Sequence, residues 1–286
     1  MTIPLTTSCH DLHQNPALPR DIRYIRSPHP HGLEYFCCGP SSSGQPAGIV
    51  VAIHGISRQA REQIEAHAAL AGFANHIIIA PVFSRESFPD YQRLGISQRR
   101  LQPRADLALQ DVLSDIRRLY NLPETAPIIL SGYSGGAQFA QRYALACPEQ
   151  VNALILGAPG WYTLPIADRK FPYGLKDYEQ IFGRPFPATT WISVPTLIVV
   201  GVDDTQRDEA LRISDWLDYV QGPHRRARAE SYLAILHHLG KHKGSHHLQL
   251  ISECAHSFKE CAQTEIWADS VNYIATARSG GRNSGA

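Results

Sequence analysis

The residues that point most directly to chemistry are Gly132-Tyr133-Ser134-Gly135-Gly136, a match to G-x-S-x-G between an apolar stretch at 128–130 and a segment of small residues. A serine hydroxyl is a weak nucleophile, and it must be lifted clear of its neighbours and brought within reach of a base. A sharp strand-to-helix turn does this at the cost of strain, and glycines on either side remove the side chains that would collide. The helix that follows turns its free N–H groups and positive dipole end toward the oxygen that becomes negative during attack. A chain of this composition meets the pentapeptide by chance roughly 0.1 times, so its strand–turn–helix flanks carry the argument.

Three further elements have the right types in the right places. His54-Gly55-Ile56-Ser57 follows the apolar run 49–53. An oxyanion needs two convergent N–H donors, one from the residue after the nucleophile and one from an upstream strand-to-helix loop. Gly135 and Ile56 are the expected pair, with Ser57 or Arg58 beside them. Gly201-Val202-Asp203-Asp204 follows the run 196–200 and supplies a carboxylate to orient an imidazole. Asp204 is favoured over Asp203, and the other is expected to cap a helix starting near Arg207. His256 stands five residues past the last apolar run, with no histidine after it. The remaining histidine cluster (His237, His238, His242, His246 and His247) reads as surface, because no carboxylate or thiol stands at ligand spacing in the loop 240–245. No metal is expected.

These residues need a frame that brings them together. Apolar, β-branched runs at 22–26, 33–38, 49–53, 77–80, 127–130, 153–156, 196–200 and 247–251 read as strands. The later ones are continuously apolar, as strands covered on both faces must be. Helical spacing marks 59–74, 104–120, 135–147, the segment after Thr205, 225–236 and 258–277. Alternation of this kind predicts an α/β fold with a mostly parallel sheet and helices on both faces. Its ligand crevice lies beyond the carboxyl ends of the strands, where every motif above falls. From 159 to 193 the alternation stops: five prolines and eight of the 25 aromatics, Trp161 and Tyr162 among them, read as a small cap insertion that walls a substrate pocket. One domain is expected over 20–278, with loosely ordered termini at 1–19 and 279–286.

Composition excludes several classes. At 286 residues, 43% hydrophobic and 19% charged, with a formal net charge of +1, the chain reads as a soluble globular protein. It carries no electrostatic footprint for nucleic acid or anionic membrane. The basic clusters His224-Arg225-Arg226 and Lys241-His242-Lys243 read as solvated surface. No apolar run approaches the ~18 residues needed to cross a bilayer. The first residues lack the basic start and apolar core of a secretory signal, so a cytoplasmic location is expected. The six cysteines (9, 37, 38, 147, 254 and 261) are then expected as thiols, although Cys254 and Cys261 flank His256 and would be able to bridge in an exported protein.

The order serine, acid, histidine is that of the α/β-hydrolases and differs from the orders of chymotrypsin-like and subtilisin-like proteases. Over about residues 20–277 the sequence resembles this superfamily. The runs Gly132-Tyr-Ser-Gly-Gly-Ala-Gln-Phe-Ala140 and Gly157-Ala-Pro-Gly-Trp-Tyr162 resemble bacterial polyhydroxyalkanoate depolymerase-like hydrolases. The resemblance implies cofactor-free acyl transfer, usually ester hydrolysis. The long polar stretch between Asp204 and His256 departs from a minimal member. The expected chemistry has His256 take the Ser134 proton during attack on an ester, the oxyanion rest on the Ile56 and Gly135 N–H groups at about 3–4 kcal/mol per donor, and water release the acyl group. His54, Gly55, Ser57, Tyr133, Trp161 and Tyr162 are the expected substrate contacts, for a small-molecule ester. Amide or thioester cleavage by the same residues, or an idle module binding an apolar ligand, are the alternatives; oligomeric state is not legible.

Overall fold

A computed structural model of the chain describes residues 20–96, 103–240 and 245–276. The runs that read as strands form eight: β1 (Arg23–Arg26), β2 (Glu34–Cys38), β3 (Gly48–Ile53), β4 (His76–Val82), β5 (Ile128–Tyr133), β6 (Ala153–Gly157), β7 (Thr196–Gly201) and β8 (His246–Ile251). They make one sheet in the order β1-β2-β4-β3-β5-β6-β7-β8. β1–β2 and β2–β4 pair antiparallel; every later neighbour is parallel. Every residue of β3, β5, β6 and β7 is buried, which is why these runs are apolar without alternation.

The flanking helices are α1 (Ala60–Ala68), α2 (Ala105–Leu119), α3 (Gly135–Ala146), α4 (Tyr178–Phe182), α5 (Ala188–Ile192), α6 (Asp215–Val220), α7 (Arg225–Leu239), α8 (Phe258–Ala262) and α9 (Glu265–Thr276). α1 packs on β2, β3 and β4, α3 on β5 and β6, α7 on β7 and β8, and α9 on β6, β7 and β8. Among the described residues no helix is long and apolar enough to cross a membrane.

Three expected helices are shorter or broken, two through contacts with distant residues and one through a local side-chain cap. The segment 59–74 ends as α-helix at Ala68 and closes with a 3-10 turn, Ala71–Phe73, that buries Phe73 and lays Gly72 N–H on Asn272 Oδ1 at 2.8 Å. The segment 258–277 breaks between α8 and α9, where the Thr264 hydroxyl accepts from Trp267 N at 3.2 Å and donates to the Cys261 carbonyl at 2.7 Å. Its residue 277 lies outside the described residues. No helix starts near Arg207: the first after β7 is α6, capped by Ser214 Oγ on Leu217 N, so the expected capping role for an aspartate there is corrected. Arg207 and Asp208 are drawn instead into ion pairs with Asp218 and Arg225.

The aromatic stretch between β6 and β7 contains α4 and α5. It builds a cluster of its own, with Trp161 stacked on Tyr173 at 4.6 Å and Tyr178 tilted against Phe182 at 4.6 Å, and it returns Trp191 and Ile192 to the main core.

Candidate active site

The registers bring the strand ends to one edge. Ile53 lies opposite Gly132, Tyr133 opposite Gly157, and Gly201 opposite Ile251, so the residues after β3, β5, β7 and β8 emerge side by side. β5 runs to Tyr133 and α3 begins at Gly135, leaving Ser134 alone at the turn with φ 53° and ψ −115°. A positive φ is costly for serine and persists only where its surroundings impose it. The Ser134 N–H is held by the Gly157 carbonyl at 2.7 Å. A Cβ at Gly132 would overlap the backbone of Gly136, and one at Gly136 would strike the carbonyls of Ile53 and His54. The turn closes because those side chains are missing.

His256 reaches this turn from the loop after β8. Its Nε2 lies 3.1 Å from Ser134 Oγ, 122 residues away, and its Nδ1 lies 2.7 Å from Asp204 Oδ2, 52 residues away. With Asp204 accepting at Nδ1–H, the ring leaves Nε2 free to accept the serine proton. His256 is 21% exposed and Asp204 1%, whereas Asp203 is exposed. The two loops are stapled to each other: Asp203 N–H donates to the Cys254 carbonyl at 3.0 Å. A disulfide joins Cys254 to Cys261, whose Cα atoms are 6.3 Å apart across the first turn of α8, so the expectation of thiols at these two positions is corrected. Cys37, Cys38 and Cys147 are free, and residue 9 lies outside the described residues.

The loop after β3 brings the Ile56 N–H beside the start of α3. A Cβ built on Gly135 would lie 3.4 Å from Ile56 N. Gly135 opens the helix, so its N–H is among those a helix leaves unpaired. The loop is shaped from below by His54, which donates from Nδ1 to the Gly55 carbonyl at 2.8 Å and accepts at Nε2 from Phe83 N–H at 3.0 Å. Burial pushes this ring down to about 4, which keeps it neutral and able to do both. The Tyr91 hydroxyl donates to the His54 carbonyl at 2.7 Å. Arg58 does not line the pocket: its guanidinium lies over the Tyr91 ring and donates to the carbonyls of Phe83, Phe88 and Pro89.

Of the expected substrate contacts, Gly55 borders Ser134, its Cβ position 3.5 Å from Ser134 Cβ and 4.0 Å from Ser57 Oγ, and Ser57 is exposed. Tyr133 packs under His256, ring centroids 5.4 Å apart. His54 and Tyr162 are fully buried, and Trp161 nearly so; Tyr162 stacks on Tyr232 at 3.9 Å, and Trp161 lies under the Arg142 guanidinium. Direct substrate contact is therefore corrected for His54 and Tyr162, whose surfaces are spent on the protein. The histidine cluster is not uniformly surface either: His246 is buried in β8 and bonds the Ile192 carbonyl, His237 bonds the His246 carbonyl, and residue 242 lies outside the described residues. Among the described residues no group of His, Cys, Asp or Glu is arranged to hold a metal ion.

Two residues escaped the sequence analysis. Arg225, read there as solvated surface, is 1% exposed, with Nη1 3.4 Å from Asp204 Oδ1. Both its Nη atoms lie 2.8 Å from the carboxylate of Asp208. A run of three basic residues hides one that points inward, and only a contact across the chain distinguishes it. Lys241-His242-Lys243, read likewise, lies outside the described residues.

No family model matches this sequence, and no curated protein matches it. Solved structures do. Poly(aspartic acid) hydrolase-1 from Sphingomonas sp. KT-1 is similar with a TM-score of 0.69 and 22% identity, covering 90% of this chain and 97% of its own. A poly(3-hydroxybutyrate) depolymerase from Bordetella parapertussis is similar at 0.67 and 22%, covering 86% and 88%. An esterase from Pyrococcus furiosus is similar at 0.55 and 14%, covering 90% and 93%. At these identities the likeness is one of fold.

Proposed function

We propose that this chain, an α/β-hydrolase by fold, is a serine hydrolase that cleaves carboxylic esters through an acyl-enzyme. The observation that carries the proposal is the continuous relay Ser134 Oγ, His256, Asp204, at 3.1 and 2.7 Å. His256 takes the hydroxyl proton through Nε2 as Ser134 attacks the ester carbonyl, and Asp204 holds the ring in the required tautomer and balances the imidazolium. The N–H groups of Ile56 and Gly135 receive the oxyanion, a role supported by their adjacency at the turn. The protonated ring then gives its proton to the leaving alcohol. Water, deprotonated by the same nitrogen, cleaves the acyl-serine and returns the starting state.

Gly55 and Ser57 are the proposed contacts on the open side of the serine. The stretch 159–193 is the proposed cap: Gln138, one helical turn past Ser134, donates to the Trp161 carbonyl at 3.2 Å and so ties that segment to the nucleophile's helix.

The test is labelling by a fluorophosphonate probe, expected for the parent chain and lost in Ser134→Ala. Hydrolysis of p-nitrophenyl esters over a range of acyl lengths, without hydrolysis of aminoacyl amides, separates esterase from amidase. Failure of the parent chain to label would remove the acyl-enzyme and leave a binding module.

A further inference from the structure

The acid of the relay does not stand alone. Asp204 Oδ2 faces His256, and its other oxygen faces a buried cation: Arg225 Nη1 lies 3.4 Å from Oδ1, with both side chains 1% exposed. The same guanidinium is gripped by Asp208, whose two oxygens each lie 2.8 Å from one of its Nη atoms, so that Nη1 serves both carboxylates. The fork-on-fork contact with Asp208 fixes the plane of the guanidinium. That plane in turn determines where one Nη meets Asp204. The main chain adds a third tie, since Arg226 N–H, one residue on, donates to the Asp204 carbonyl at 3.3 Å.

We propose that Arg225 and Asp208 are positioning residues that act through Asp204: they hold its carboxylate in one orientation and set the net charge against which the His256 imidazolium forms. The inference rests on the proposed roles of Ser134, His256 and Asp204. Two carboxylates and one guanidinium leave the cluster one negative charge in excess, and the imidazolium that appears when Ser134 loses its proton cancels it. Arg225 alone would weaken the pull of Asp204 on the ring; Asp208 restores part of it. Asp204 and Arg225, each 1% exposed, feel each other's charge more strongly than a surface pair would, whereas Asp208 is 40% exposed and its charge is partly screened by water.

The electrostatics of the two partners agree with this geometry. Burial pulls the Arg225 guanidinium down, but its hydrogen bond to Asp208 and the charges of Asp204 and Asp208 more than offset it, so its proton is held more firmly than usual. The Asp208 carboxyl is held below its usual range, first by the hydrogen bond to Arg225 and, in smaller part, by the charge of His256 itself. The other groups around His256 contribute little variable charge. The Tyr133 phenol beneath it is kept neutral by burial. Asp203 from the β7 loop, Glu253 from its own loop, and Lys259 and Glu260 from α8 are exposed, and Arg226 from α7 is paired with Glu230. Cys254 and Cys261 are joined and do not titrate.

Removal of each partner has an effect of opposite sign on one observable. The full chain is labelled with ¹³C-histidine, the His256 ring signal is assigned by its loss in His256→Asn, and its titration midpoint is followed by NMR. In Arg225→Met the ring faces an uncompensated pair of carboxylates, and the midpoint moves to higher pH. In Asp208→Asn the hydrogen bond to Arg225 persists but the counter-charge is gone, and the midpoint moves to lower pH. Arg225→Lys, which keeps the charge, stays near the parent. Midpoints that do not move, or that move in the same direction in the first two variants, overturn the proposal. Should Arg225→Met fail to fold, Asp208→Asn decides alone, and an unmoved midpoint overturns it. Fluorophosphonate labelling of the parent is read separately. A labelled chain with unmoved midpoints keeps the hydrolase reading and loses this one; an unlabelled chain with opposed shifts loses the hydrolase reading and keeps the charge coupling.

Discussion

Asp203 and Asp204 are consecutive residues in opposite environments. The first projects into solvent, and the second is 1% exposed with Oδ2 2.7 Å from the His256 ring. The turn after β7 creates the difference: Asp203 N–H binds the Cys254 carbonyl and Asp204 N–H the Gly201 carbonyl, which rotates one side chain outward and the next inward.

Asp204→Asn is therefore expected to reduce kcat by about 10⁴-fold, because the amide stabilises the wrong imidazole tautomer and does not balance its charge. Asp203→Asn is expected to stay within about twofold of the parent, as surface changes usually do. Steady-state rates on a p-nitrophenyl ester compare the two, and a larger loss in Asp203→Asn would reverse the assignment.

Tyr91 is buried and its hydroxyl fixes the carbonyl of His54, the residue that shapes the Ile56 loop. Tyr91→Phe leaves that carbonyl short of a donor at a cost of about 1–3 kcal/mol. Displacement of the Ile56 N–H is expected to lower kcat about tenfold with KM little changed. Equal kcat in parent and variant would show that the loop holds its shape without the phenol.

The glycine turn offers a stability test. A methyl at Gly136 would meet the main-chain carbonyls of Ile53 and His54, which cannot withdraw without dislodging β3. Gly136→Ala is expected to cost more than about 2 kcal/mol. Gly183 is the control: its φ of +69° is unfavourable for alanine, but no atom lies within 4 Å of its Cβ position. Gly183→Ala should cost about 1 kcal/mol. Urea midpoints of the two variants give the comparison; equal losses would exclude steric closure as the reason for Gly136.

Buried histidines make the fold sensitive to acid, His246 among them. Burial pushes His54, His67 and His76 each down to about 4. Below about pH 6.5 the unfolded chain takes up protons that the folded one refuses, so stability is complete above that value and falls as the pH drops toward 4. At pH 5 each ring should cost about 1–2 kcal/mol. His67 is the clearest of the three, fully buried with Nε2 2.7 Å from Ser131 Oγ and its ring stacked between Phe73 and Phe258. The urea midpoint should decline between pH 6.5 and 5, and decline less steeply in His67→Gln. No change in the parent over that range would contradict the neutral burial of these rings.

The strands β3, β5, β6 and β7 were legible in the sequence because the signal for each is local: a strand buried on both faces is apolar along nearly its whole length, and 49–53 shows this in five residues. The glycine–serine turn was legible for the same reason, since a steric demand made by the backbone of Gly136 and Ile53 is met by the absence of a side chain. The ends of helices were less so. Nothing within 59–74 announces that Asn272 will pack against Gly72, and nothing in 258–277 singles out the Thr264 hydroxyl as a break.

What the sequence by itself determined is the set of chemically capable residues and the strand ends from which they project. That the favoured Asp204 and not Asp203 meets the imidazole, that Arg225 among three neighbouring basic residues turns inward to it, and that Cys254 and Cys261 bridge at all were decided by tertiary structure. The reason is physical: periodicity and steric pattern act over a few residues and are written into the chain, whereas charge pairing depends on the distance between side chains. Arg225 and Asp204 are separated by 21 positions and brought within 3.4 Å only when α7 packs on β7.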